Sequence, residues 1–296
     1  MLNSKQIQTF QKNGYLVVRG LFANQEIAPI LDACRDTKIL DQYTSTNKDF
    51  NGKDSFRAAF WRDPNGATLL AKLPIMERLV TGTEQLLDTE CYYWRSRLVF
   101  KKPNEPGRVE YHQDYSFWYR DGCAFPDMLS CSVAITACNK RNGCLEVLRG
   151  SHHVGRLDLD DHLEGAEYPD PSYVEKIATR CEKVFCEMEP GDGIFFHGNT
   201  LHGSGPNKTN GPRILVHNTY NAHYNAPLVP KGQSELLASS QQYEKIEKID
   251  DDFISNGNYD GVFDNDVFFP QETDAVNDVG IFKRHNKRKS RRNATG

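Results

Sequence analysis

The stretch VFCEMEPGDGIFFHGNTLHGSGPNKTNGPRILVHNTYN, residues 184–221, decides the fold. It holds three short runs rich in apolar, aromatic and β-branched residues, at 184–188, 193–197 and 213–221. Glu189-Pro190-Gly191-Asp192 and Asn210-Gly211-Pro212 interrupt them with turn formers. Runs of this length, bounded by Gly, Pro, Asn and Asp, read as strands. The same texture extends backwards through 144–148, 129–137, 109–119 and 91–101. Lys102-Pro103-Asn104 and Arg141-Asn142-Gly143 supply the turns between them. Many short strands at this spacing predict an antiparallel sandwich or barrel.

Before residue 88 the pattern is mostly helical. Ser4 is expected to cap a helix through Lys12, with Asn13-Gly14 ending it. Tyr15 to Val18 reads as a strand, and Asn24 as the cap of a helix over about 25–36. Residues 40–66 read as loops, and 68–88 return to helical spacing. The polar insertion 155–182 turns helical from Pro171. The fold class is therefore α+β: N-terminal helices flanking an antiparallel double-sheet roll, because one-faced helices need a sheet to cover. Residues 1–240 form one domain in this reading. Residues 241–296 form an extension, acidic and then basic, expected to be partly disordered.

Composition excludes several functions. The 296 residues carry 36 Lys and Arg against 40 Asp and Glu, a net charge of −4. Seven of the cations lie in KRHNKRKSRR, residues 283–292. Without them 29 positive and 40 negative charges remain, a net of −11. A body that acidic argues against a nucleic-acid substrate. No run approaches the roughly 18 apolar residues of a membrane span. The N-terminus lacks the apolar core of a signal peptide, so a cytoplasmic address is expected, with the basic tail leaving a nuclear one open. Eight cysteines without a CxxC pair read as reduced thiols.

The chemistry concentrates in two strings. In GRVEYHQDYSFWYRDG, His112 and Asp114 are two apart and share one side of an extended backbone. Such a pair is common by chance, and alone it reads as a solvated turn. The string MEPGDGIFFHGNTLHGSGPN offers a second imidazole at His197 or His202. His202 is favoured because Gly203-Ser204-Gly205 leave room for a ligand beside it, and His197 reads as a packed strand histidine. Two His and one carboxylate make the facial triad of non-heme Fe(II) oxygenases, which leaves three coordination positions open. Arg213, eleven residues after His202, offers a two-pronged fork for the free carboxylate of a 2-oxo diacid. Ser204 is placed to share it. By itself Arg213 would pass for a surface strand residue; the linked spacing gives it meaning.

The combination HQD…NGCLEVLRGSH…PGDGIFFHGNTLHGSGPN…PR resembles the phytanoyl-CoA dioxygenase family over roughly residues 5–230. The resemblance implies a double-stranded β-helix (a cupin-like jelly-roll), Fe(II) on His112, Asp114 and His202, and 2-oxoglutarate and O₂ as cosubstrates. It implies 2-oxoglutarate on Arg213 and Ser204, with further contacts from Ser132, Gln113, Arg97 and Arg57. One departure is Leu148-Arg149-Gly150-Ser151-His152, where the family has Pro-Gly-Ser-His, and His152 reads as structural. Relatives that halogenate lack the carboxylate, so Asp114 implies hydroxylation or another oxidation, with succinate and CO₂ as coproducts. The region HQDYSFWYRDG, followed by FPDM, is similar to the ectoine hydroxylase and aminoalkylphosphonate dioxygenase branches, which implies a small zwitterionic substrate. From the residues themselves, Arg95 and Arg97 share a strand face with Val99 and suit an anionic group. Trp118 is expected to wall the ligand. A larger natural-product or acyl substrate remains the alternative, as does a jelly-roll module that binds without turnover.

Overall fold

The structure, a computed structural model, describes residues 1–62, 64–159, 168–228 and 243–263. The chain opens with α1 (Ser4–Asn13), β1 (Tyr15–Val18), α2 (Asn24–Ala33) and α3 (Thr37–Tyr43). Asn3 rather than Ser4 caps α1: its side chain accepts from Gln6 N while the Gln6 side chain accepts from Asn3 N. Gly14 ends the helix at φ 78°, where a side chain would be strained. The stretch expected to be loops holds β2 (Ser45–Lys48) and β3 (Asp54–Trp61). The Ala58-Ala59 pair hides β3 from a propensity reading, and burial against neighbours makes the strand. Next come α4 (Leu69–Lys72), a 3₁₀ turn and α5 (Glu77–Leu87), then β4 (Cys91–Lys101) and β5 (Val109–His112).

The run 109–119 breaks differently from its expected form. After β5 the chain turns into α6 (Asp114–Arg120). Tyr115, Phe117 and Trp118 bury against Tyr92, Trp94 and Met128, a set of contacts an extended strand would spread over two faces. Ser116 Oγ fixes the turn by donating to Leu157 O at 2.7 Å. The remaining elements are β6 (Met128–Ala134), β7 (Leu145–Leu148), α7 (Pro171–Ala178), β8 (Lys183–Cys186), β9 (Gly193–His197), β10 (His202–Ser204) and β11 (Arg213–Ala222).

Among the described residues, eleven strands form two antiparallel sheets, a jelly-roll. The larger runs β1-β9-β6-β11-β4-β3-β2 and the smaller β5-β10-β7-β8. The larger sheet is covered on both faces. Leu98, Phe100, Cys131, Val133, Phe195, Ile214 and Val216 meet the helices on its outer face. Ala134, Ile194, Phe196 and Leu215 meet Leu145, Val147 and Cys186 of the smaller sheet. Successive residues point to opposite faces, so the central strands of this sheet feed two separate cores.

Residues 243–263, which the sequence assigns to a loose extension, pack on the helical layer. Ile246 and Ile254 join the outer core, and Ile249 exchanges backbone hydrogen bonds with Ile75 and Glu77. Arg78 ties the segment down, pairing with Asp251 at 3.0 Å and with Glu26 of α2 at 2.9 Å. The acidic composition suggested solvation, but one isoleucine every few residues is enough to dock it. The basic tail at 283–292 lies outside the described residues. Ile254→Ala should cost about 2–5 kcal/mol of unfolding free energy, read as a lower urea midpoint. A midpoint matching the parent protein would mean that the segment is not part of the cooperative unit.

The cysteines are free, and all but Cys181 are buried. Among the described residues, no helix is long and apolar enough to cross a membrane.

Candidate metal centre

β5 and β10 run antiparallel with His112 directly opposite His202. Their rings lie 4.3 Å apart, centroid to centroid. Such close approach needs Gly203, where a Cβ would stand 2.7 Å from Val109 O. The glycine thus makes room for the neighbouring strand as well as for a ligand. Gln113 stays extended for one residue (φ −105°, ψ 126°) before α6 begins at Asp114. That single extended residue returns the carboxylate to the side of His112. Asp114 Oδ1 lies 3.6 Å from His112 Nε2 and 3.9 Å from His202 Nε2. One donor atom from each of the three falls within 4.8 Å of the others, and they form the one such group among the described residues.

The protonation pattern fits a divalent metal. His112 Nδ1 is 2.8 Å from Glu110 O, and His202 Nδ1 is 2.9 Å from Thr200 O. A carbonyl only accepts, so each Nδ1 carries the proton and each Nε2 turns a lone pair toward Asp114. His202 Nε2 is buried with no hydrogen-bond partner. Burial and the neighbouring His112 push the His202 pKa down to about 3, keeping the ring in its neutral, ligating form. Burial alone would raise the Asp114 carboxyl. Arg97, with Nη2 3.7 Å from Oδ1, is the cation that works against burial, and the group is held well below its usual range.

The two triad histidines line a cavity of about 550 Å³, counting space continuous with solvent. Arg213 and Ser204 belong to its wall, 2% and 4% exposed. Arg213 Nε and Ser204 Oγ are buried without partners. Two unsatisfied donors at the rim of a metal-ligand cluster suit a carboxylate. Lys101 faces Arg213 in register, fully buried, and its Nζ donates to Gly205 O at 2.7 Å and Gly107 O at 3.2 Å. Burial, with Arg213 beside it, pushes the Lys101 pKa down to about 6.

Other expected contacts lie elsewhere. Arg57 is on the outer face of β3, bonded to Asp41 and to Leu40 O, because the strand alternation turns its neighbour Phe56 inward instead. The Gln113 side chain points away from the triad and clamps Leu157 N at 2.8 Å and Asn199 O at 3.0 Å. Ser132 faces inward, but its hydroxyl is taken by His217 Nδ1. Arg97 lines the cavity, whereas Arg95 lies outside its wall, 4% exposed, with Asp121 as a counter-charge. Trp118 packs beneath Gly198, and Phe117 takes the wall position, because α6 is a helix. His197 accepts from Asn199 N at 3.0 Å and stands 5.8 Å from the His152 ring, away from the triad. Phe56, Tyr168 and His217 also line the wall. Sequence reading overlooked all three. His217 was legible from its period-two relation to Arg213, but Tyr168 lies in the polar insertion without any local signal.

The family profile of phytanoyl-CoA dioxygenase (PhyH) matches residues 10–215. The chain belongs to the phytanoyl-CoA dioxygenase family. Within this family, the ectoine dioxygenase of Bordetella bronchiseptica is 28% identical over 268 residues, covering 84% of this chain and 86% of its own. That of Sphingopyxis alaskensis is 32% identical over 249 residues, covering 78% and 79%. The crystal structure of EctD from S. alaskensis with bound Fe superposes with a TM-score of 0.68 at 25% identity, covering 84% of this chain and 88% of that one. This phytanoyl-CoA dioxygenase family member is an Fe(II)- and 2-oxoglutarate-dependent dioxygenase with the jelly-roll fold of its class.

Proposed function

We propose that this dioxygenase hydroxylates an unactivated C–H bond of a small anionic or zwitterionic metabolite. The observation that carries this reading is a cavity lined by His112 and His202 together with Arg213, Ser204 and Arg97, with the Asp114 carboxylate within 4.8 Å of both imidazoles. His112, Asp114 and His202 hold Fe(II) on one face. Fe(II) with 2-oxoglutarate and O₂ supplies the oxidising equivalents for C–H hydroxylation, and the oxo acid leaves as succinate and CO₂. Arg213 and Ser204 orient the far carboxylate of the cosubstrate. Phe117 and Tyr168 stand edge-on to His112, with centroids at 6.1 and 5.6 Å, and exclude water from that side of the metal position. Arg97 steadies Asp114 and offers a cation to an anionic substrate. Buried Arg95 adds positive charge behind it. Relatives named ectoine dioxygenase support the size and charge class, since ectoine is a small zwitterion.

The reading is tested by a succinate-release screen with anaerobically loaded Fe(II), 2-oxoglutarate and a panel of small amino-carboxylates, aminophosphonates and acyl-CoA thioesters. At least one small zwitterion should stimulate succinate release about tenfold or more over the substrate-free rate. Stimulation by acyl-CoA thioesters alone would replace this substrate class with the larger one. No stimulation and no basal release would leave a binding module.

A further inference from the structure

Strand β11 turns Arg213, Leu215 and His217 to the inner face, and the first and last of them line the cavity. His217 is opposite Ser132 of β6 on one side and Arg97 of β4 on the other. These three form a row across the sheet, and Arg97 reaches Asp114 from the end of it. The imidazole is 4% exposed and Ser132 is fully buried. His217 Nδ1 is 2.5 Å from Ser132 Oγ, and among the described residues this is the one hydrogen bond of that hydroxyl. The Phe196 ring meets the imidazole edge-on, at 90° and 6.4 Å, and fixes its plane.

Nδ1 is therefore committed, and the Nε2 edge is left for the cavity. Burial, then the charges of Arg97 and Arg213, keep the ring neutral, so it carries a single N–H. A serine hydroxyl can donate or accept, and the ring follows its choice. A carboxylate in the cavity only accepts. The arrangement that satisfies all parties has Ser132 donating to Nδ1 and His217 donating from Nε2–H. The cavity between Arg213 and the two metal-binding histidines is the space the cosubstrate occupies under the proposed function, and His217 lies on the Arg213 strand facing it.

We infer that His217 donates a hydrogen bond to a carboxylate of 2-oxoglutarate, and that Ser132 acts through His217 as a positioning residue by fixing its tautomer. The inference rests on the cosubstrate reading of this cavity. It gives the cosubstrate a donor that the linked pattern of His, Asp and Arg does not include, and it explains why Ser132, though turned inward, does not line the cavity.

The test is an equilibrium titration of 2-oxoglutarate into anaerobic, Fe(II)-loaded full-length protein, followed by calorimetry. His217→Phe keeps the ring and its contact with Phe196 but removes the donor. It should raise the Kd for 2-oxoglutarate about tenfold, the scale of a hydrogen bond to a charged group. His217→Gln restores an N–H and should stay within about threefold of the parent. Ser132→Ala should weaken binding about threefold in the parent background and not at all in His217→Phe, because its effect runs through the ring. A purely structural serine would give additive losses. Fe(II) stoichiometry, measured on each variant, should remain that of the parent. An unchanged Kd in His217→Phe, or additive losses in the double variant, would overturn the inference while leaving the oxygenase reading intact. A parent protein that binds no 2-oxoglutarate with Fe(II) present would overturn both.

Discussion

Asp114→Ala is expected to abolish substrate hydroxylation and to weaken Fe(II) binding by about two orders of magnitude or more, since loss of an outer-shell partner alone costs 10–100-fold. Two effects add in the same direction. The site loses its one anionic donor, leaving two neutral imidazoles for a dication. Arg97, 3.7 Å from the missing carboxylate and only 14% exposed, becomes a cation facing the metal position without that counter-charge. An Fe(II) titration under anaerobic conditions reads the first effect, and product analysis reads the loss of turnover. Hydroxylation at the parent rate in this variant would refute the triad outright.

The triad residues were legible because the spacing constraint is local. His112 and Asp114 needed only one extended residue between them, and Gln113 supplies it although a helix follows. The second histidine was a choice between two positions, and β10 pairing with β5 makes that choice in space. The cosubstrate contacts were harder to read. Arg57 and Gln113 were assigned by their place along the chain, but a period-two strand sends alternate residues to opposite faces, and one position of error exchanges cavity for exterior. Trp118 failed for a related reason: reading 114–119 as a strand spaces its side chains by two, while the helix turns Phe117 to the cavity and Trp118 into the core. Tyr168 could not have been found, because the polar insertion that holds it carries no sequence pattern pointing to His112. The docking of 243–263 was hidden by composition, since Ile246, Ile249 and Ile254 stand among acids.

Arg213→Ala is expected to cost about 2–5 kcal/mol of cosubstrate binding, the range for truncating one partner of a buried charge pair. At 1.4 kcal/mol per decade this is roughly a 30- to 4,000-fold rise in Kd for 2-oxoglutarate. The variant removes the fork and strands the distal carboxylate beside the buried Ser204 hydroxyl. Lys101 should moderate the loss. Arg213 contributes to its depressed pKa, so deletion of the arginine lets the neighbouring lysine regain its proton more readily and supply part of the missing charge. Arg213→Lys should therefore recover less than a simple charge count suggests, because two ammonium groups on adjacent strands compete for one buried space. Calorimetric titration of 2-oxoglutarate into the Fe(II) form reads both variants. An affinity within twofold of the parent for Arg213→Ala would remove this residue from the cosubstrate site.

The position of β11 in the middle of the larger sheet has an evolutionary consequence. It is hydrogen-bonded along most of its length to β4 on one side and β6 on the other, so its backbone is held independently of what its inner side chains do. Ile214 and Val216 face the helical layer, while Leu215, His217 and Thr219 face into the roll. Drift at the first set is limited by packing, and drift at the second by the ligand. A lineage can therefore change the reactant it accepts by altering alternate residues of one strand, with the intervening residues preserving the scaffold. Diversification of catalysis and preservation of foldability become separable traits encoded in the same ten residues.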